Sequence, residues 1–195
     1  MNRPRIAVLG LGNLMRTDDA LGMLALERLR ADPRFPKTVT LIEGGTLGLD
    51  LLYPLEGVTH LLALDAIDAD AEPGTLLRYA GEAVAELPVS KSVHLLGFSD
   101  LMGALRLVEQ APREVVVLGL QPALTEWGTE LTPAAEAGLP TLVECALGQV
   151  TRWLLKVAED ASPQGATAGV MAAGGSDEAL GALASLAAGE ETWYW

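Results

Sequence analysis

Short runs of apolar and β-branched residues recur along this chain at 5–10, 38–42, 60–64 and 115–120, and longer segments with helical spacing lie between them. Runs of this length, closed by glycine or by an acid, are too short for helices and read as buried strands. Strands that alternate with helices at such intervals leave few folding options, because parallel neighbours must be joined by crossovers that cover the sheet. The expectation is an α/β three-layer sandwich, with a twisted, mostly parallel sheet of about five strands flanked by helices.

The first run, Arg5-Ile6-Ala7-Val8-Leu9-Gly10, leads into a loop through Gly12-Asn13 to Asp18-Asp19. A helix to about Arg30 follows, with Leu21, Leu24, Ala25 and Leu29 on one face and Glu27, Arg28 and Arg30 on the other. Asp18 or Asp19 then lies at or just before the helix N-terminus, where a carboxylate is favourable. The second strand is closed by Glu43-Gly44-Gly45-Thr46, and a short helical segment fits 47–53 before Pro54. The third strand begins at His60, and Asp65 stands at its end. Pro73-Gly74 marks a turn, with a short edge strand over 75–79. A loop carrying His94 leads to a helix from about Ser99, whose hydroxyl is placed to cap it. The last helix opens at Thr132-Pro133, reaches about Val157, and carries a break or kink at Gly138-Leu139-Pro140.

This pattern fills one domain over 1–158. From Glu159 onward there are six acidic and no basic residues in an Ala/Gly/Ser-rich stretch, so 159–195 reads as a mobile acidic extension, with Trp193-Tyr194-Trp195 as a possible docking end. The formal charge is -13, from 13 basic and 26 acidic residues, which argues against a nucleic-acid partner. No apolar stretch approaches the ~18 residues of a membrane helix, and the run 6–11 is too short for a signal peptide. The expected location is the cytoplasm. The single cysteine, Cys145, permits no internal disulfide and sits in an apolar helical segment, where it reads as a small buried hydrophobe.

In open α/β sheets, ligands bind at the carboxyl ends of the strands. Asp18-Asp19, Asp65 and His94 all fall there. Each has an ordinary explanation as a helix cap, a turn residue or a loop histidine. Together, two carboxylates and an imidazole suit a borderline divalent metal such as Ni²⁺ or Zn²⁺ with positions left open. His60 begins its strand, about 16 Å from Asp65 at ~3.3 Å per residue, and is assigned a structural role. Gly10-Leu11-Gly12 lacks the third glycine of a dinucleotide loop, since position 15 is Met15, and the following aspartates would repel a pyrophosphate. There is no G-x-S-x-G elbow, and no D-[ST]-G context for an aspartic dyad.

Several segments, in order, resemble the [NiFe] hydrogenase maturation protease family. Gly10-Leu11-Gly12-Asn13-Leu14-Met15 through Asp18-Asp19-Ala20-Leu21-Gly22 is similar to its opening G-x-G-N motif. Gly44-Gly45-Thr46-Leu47-Gly48, Asp65-Ala66-Ile67-Asp68 with Pro73-Gly74-Thr75, Ser92-Val93-His94 and Gly119-Leu120-Gln121-Pro122 resemble its later motifs. The resemblance implies an endopeptidase that removes the C-terminal extension of a nickel-loaded hydrogenase large-subunit precursor. It also implies a metal held by Asp19, Asp65 and His94, the same residues serving catalysis. The first ligand is commonly glutamate in that family, so Asp18 is the alternative to Asp19. Nickel is then delivered by the substrate, and zinc or cadmium could occupy the same place. Gly44 and Gly45 either admit substrate backbone or simply form a tight turn. The rival readings are a non-catalytic nickel-binding chaperone for hydrogenase assembly and a peptidase for another nickel enzyme.

Overall fold

The computed structural model describes residues 4–88 and 93–161. Five strands form one sheet in the order β2-β1-β3-β5-β4: β1 (Ile6–Leu11), β2 (Thr40–Gly45), β3 (His60–Ala66), β4 (Leu76–Ala80) and β5 (Glu114–Leu120). Neighbours β2, β1, β3 and β5 run parallel, and β4 closes the far edge antiparallel to β5. Helices α1 (Leu21–Ala31) and α3 (Pro133–Ala161) cover one face, and α2 (Val93–Leu107) covers the other.

Strand alternation accounts for the two cores. Ile6 and Val8 of β1, Leu62 and Leu64 of β3, and Val116 and Leu118 of β5 pack with α1 and α3. The intervening Ala7, Leu9, Leu61, Ala63 and Val117 pack with Leu95, Phe98 and Leu101 of α2. Both faces are buried, so these strands read as continuous apolar runs rather than alternating ones. The chain leaves β1 over the α1 face, while the segment after β2 lays Leu51, Leu55 and Val58 on the α2 face. The carboxyl ends of β1 and β3 therefore border the point where the winding reverses, the usual crevice of such a sheet.

Several boundaries differ from the sequence reading. β2 starts later and runs through Gly44-Gly45, where a Cβ on Gly44 would meet the Leu9 side chain at 2.7 Å. This close packing is internal to the fold. The segment expected as a helix over 47–53 is a 3-10 turn, Leu49–Leu52. Asp65 lies inside β3, paired with Gly119, rather than beyond its end. α2 begins at Val93, so His94 sits in its first turn and Ser99 is an interior residue, not a cap. The apolar positions Leu95, Phe98, Leu101, Met102 and Leu105 follow helical spacing from the first turn onward, which explains the earlier start. α3 is continuous across Pro140, with no break, because Leu139, Leu142, Val143 and Ala146 hold that stretch against the core. Proline's missing bond lies near the N-terminal end, where fewer turns depend on it.

At the opposite end of the sheet, His60 lies edge-on to Trp153 and beside Glu114, which also accepts the Trp153 Nε1–H at 2.8 Å. Its role is structural, as its position in the sequence implied. Cys145 is half-buried against the core rather than fully buried as expected, and that burial raises its thiol above its ordinary pKa, with Glu144 adding to the effect. Among the described residues, no helix is long and apolar enough to cross a membrane. The acidic extension and its terminal Trp-Tyr-Trp fall almost wholly outside the described residues; 159–161 belong to α3.

Candidate active site

Two close backbone contacts build the floor of the crevice. A Cβ on Gly22 would stand 2.1 Å from the Leu64 carbonyl oxygen and 2.4 Å from that of Leu11, so only glycine lets α1 begin directly against β1 and β3. Gly12 has φ +116, and a side chain there would run into the Asp19 carbonyl at 1.9 Å. These glycines let the loop after β1 fold back as a 3-10 turn, Thr17–Ala20, and bring its two aspartates over the sheet.

The aspartates then part. Asp18 is fully buried and faces the loop after β5. Its carboxylate accepts hydrogen bonds from Ala123 N (2.9 Å), Leu124 N (3.2 Å), Thr132 N (2.7 Å) and Thr132 Oγ1 (2.8 Å). It is a clamp on 122–132, with both carboxylate oxygens accepting hydrogen bonds from that loop. Asp19 points the other way. Its Oδ2 accepts the Asn13 N–H at 3.2 Å and lies 2.8 Å from Nε2 of His94.

Asp65 reaches the same place from the sheet. Alternation along β3 puts it on the α2 face with Leu61 and Ala63, beneath the first turn of α2, which Leu95 and Phe98 anchor in the core. One carboxylate oxygen accepts the Ala66 N–H at 2.9 Å. The other, Oδ2, is buried without a hydrogen-bond partner among the described residues, and so is Nδ1 of His94. Unpaired buried polar atoms are rare in folded proteins, and the two found here belong to neighbouring members of one trio.

The electrostatics agree with the geometry. Burial pushes the Asp65 carboxyl up to about 7; the positive field of His94 and the Ala66 N–H oppose the rise, and the Asp19 charge adds to it. His94 is raised above the ordinary histidine value, first by its hydrogen bond to Asp19, against the pull of burial, with the charges of Asp19 and Asp65 reinforcing the rise and Arg16 countering it. The structure thus brings Asp19, Asp65 and His94 together, and leaves Asp18 to hold the fold. Among the described residues, no group of three His, Cys, Asp or Glu side chains is arranged as a ready-made metal site. The Asp19–His94 bond occupies Nε2 and leaves Nδ1 without a partner among the described residues.

Other parts of the site were not legible as such. Gln121 accepts the Ala69 and Ala71 N–H groups with Oε1 and donates from Nε2 to Asp68 Oδ1 and the Pro122 carbonyl. It ties the loop after β3 to the loop after β5. Its only sequence signal was the Gly-Leu-Gln-Pro turn. Arg16 donates from Nε to the Thr125 carbonyl at 2.9 Å, and its guanidinium lies 5.8 Å from the centre of the Trp127 ring. Nothing local in the sequence pairs positions so far apart.

Comparison with known proteins bears directly on this crevice. Residues 23–149 match the model of the family described as hydrogenase maturation protease. The hydrogenase 2 maturation protease of Escherichia coli is 36% identical over 162 residues, 82% of this chain and 96% of that protein. The hydrogenase expression/formation protein HupD of Bradyrhizobium diazoefficiens is 33% identical over 162 residues, 82% of this chain and 84% of the relative. The solved structure of the hydrogenase maturating endopeptidase HybD from E. coli superposes with a TM-score of 0.69 at 33% identity, covering 80% of this chain and 94% of HybD. With a family model spanning most of the chain, and relatives above 30% identity matched over most of their length, this chain belongs to the hydrogenase maturation protease family.

Proposed function

We propose that the protein is an endopeptidase that removes the C-terminal extension of a nickel-loaded [NiFe] hydrogenase large-subunit precursor, with Asp19, Asp65 and His94 engaging the nickel that the precursor carries. One observation carries the reading most: two buried polar atoms without partners among the described residues, Asp65 Oδ2 and His94 Nδ1, lie beside the Asp19–His94 bond at the crevice of a family member. A carboxylate pair and an imidazole are suitable donors for a borderline divalent ion. The trio is held as a hydrogen-bonded cluster rather than a finished metal cage, as befits an ion that arrives with the substrate. Zinc or cadmium offered in its place would meet the same donors.

Cleavage adds water to the scissile carbonyl and breaks the C–N bond, and the departing amine takes a proton. The precursor's nickel, engaged by Asp19, Asp65 and His94, would supply a Lewis acid to polarise that carbonyl or the attacking water. Asp19 and Asp65 are the two carboxylates that could accept the water's proton. His94 holds Asp19 in place and supplies the imidazole donor. The reading is tested by offering the protein precursor with and without nickel and following the precursor's C-terminus on a gel. Cleavage confined to the nickel-loaded form is expected. Equal cleavage of both forms would remove the metal from the mechanism.

A further inference from the structure

Around the crevice, two loops carry an uncommon surface. The loop after β1 exposes Leu14 and Met15, and the loop after β5 exposes Leu124 and Trp127. The loops are stitched together: Gly128 N donates to the Met15 carbonyl at 3.0 Å, Thr17 N donates to the Gly128 carbonyl at 2.8 Å, and Arg16 and Gly128 form a parallel bridge. Exposed apolar side chains on joined, hydrogen-bonded loops mark a contact surface more than scattered ones do.

In the middle of that surface lies Arg16, an exposed cation on a chain of net charge -13. Its side chain is braced, with Nε on the Thr125 carbonyl and the guanidinium against Trp127. Neither Nη group has a partner among the described residues. Its backbone carbonyl accepts the Asp19 N–H at 2.8 Å, which places it one turn from the trio. A guanidinium fixed in this way offers a preformed fork that fits a carboxylate, and less of its side-chain freedom is lost on binding.

We propose that Arg16, braced by Trp127, is a specificity-determining residue that binds a carboxylate of the precursor close to the scissile bond, while Leu14, Met15 and Leu124 cover the apolar residues beside it. The occupant is therefore an apolar peptide segment bearing an acid. This inference rests on the peptidase reading above, and it adds to that reading which chemistry the substrate segment must carry.

Steady-state cleavage of nickel-loaded precursor by the full chain, by Arg16→Ala and by Arg16→Lys tests it. Arg16→Ala should raise KM about 10- to 100-fold, as expected for a lost charge-assisted bond, while kcat changes less than about threefold. Arg16→Lys should recover part of the loss, and added salt should erode the wild-type advantage. Precursors in which each acid flanking the scissile bond is changed to its amide, and one with an amidated C-terminus, identify the carboxylate, because only the right change abolishes the difference between wild type and Arg16→Ala. Wild-type KM for Arg16→Ala, or a difference that survives every carboxylate change, overturns the inference. If wild type leaves the precursor uncut, the peptidase reading falls instead. Precursor affinity then decides for Arg16: weaker binding by Arg16→Ala upholds the clamp, and equal binding overturns it.

Discussion

Replacing Asp65 by asparagine should make this protein more stable above neutral pH while removing its activity. The Asp65 side chain is fully buried, with one oxygen on the Ala66 N–H and the other unpaired among the described residues. Burial raises its carboxyl from 3.8 to about 7. Between those values the folded chain keeps a proton that the unfolded chain has released. Stability contributed by the neutral carboxyl is therefore complete below about pH 4 and is lost as pH rises through about 7. At about 1.4 kcal/mol for each tenfold change in proton affinity, the loss amounts to about 4 kcal/mol. Asparagine keeps the shape and carries no charge. It forfeits the attraction to His94 and brings an amide donor, so a gain of about 2–4 kcal/mol at pH 8 is expected, shrinking towards zero at pH 4. Urea unfolding followed by circular dichroism at pH 4, 6 and 8 reads this directly. An Asp65→Asn protein that is less stable at pH 8, or whose difference from wild type is the same at all three values, would refute the burial argument. The expected trade of stability against activity is typical of functional sites.

Other perturbations separate the site from its scaffold. His94→Ala should lower cleavage of nickel-loaded precursor by at least about 100-fold with an unchanged circular-dichroism spectrum, and wild-type processing by that variant would exclude His94. The pKa of His94 is raised above the ordinary histidine value, first by its hydrogen bond to Asp19, so protons compete with added nickel for the imidazole. The affinity for added Ni²⁺, measured by titration calorimetry, should therefore weaken as pH falls through neutrality; a flat profile would count against the imidazole as donor. Asp18→Ala strands three backbone N–H groups and the Thr132 hydroxyl, and should destabilise by about 3–5 kcal/mol in urea. Gly22→Ala has no room for its Cβ and should cost at least about 2 kcal/mol by the same assay, since α1 must move off the sheet.

The layered α/β fold was legible because periodicity and burial agree: strands sealed on both faces must be apolar, and 6–9, 61–64 and 115–118 are. The start of α2 was missed because the segment carrying His94 read as a loop, while Leu95 and Phe98 are the residues that set the helix. The trio could be placed near the strand ends from sequence, but its members could not be told from caps and turn residues. Distinguishing Asp18 from Asp19 needed the loop after β5, whose Ala123, Leu124 and Thr132 lie more than a hundred positions away. Arg16 and Trp127 escaped notice for the same reason: their pairing is made by the fold.

The most direct test of the central claim is the intact mass of nickel-loaded large-subunit precursor after incubation with the protein, run beside Asp19→Ala, Asp65→Asn and His94→Ala. The wild type should yield a single shorter product that lacks the C-terminal extension, and the three variants should leave the precursor whole. A precursor that stays at full mass while binding the wild type would contradict the account and favour a chaperone that inspects the loaded subunit without cutting it.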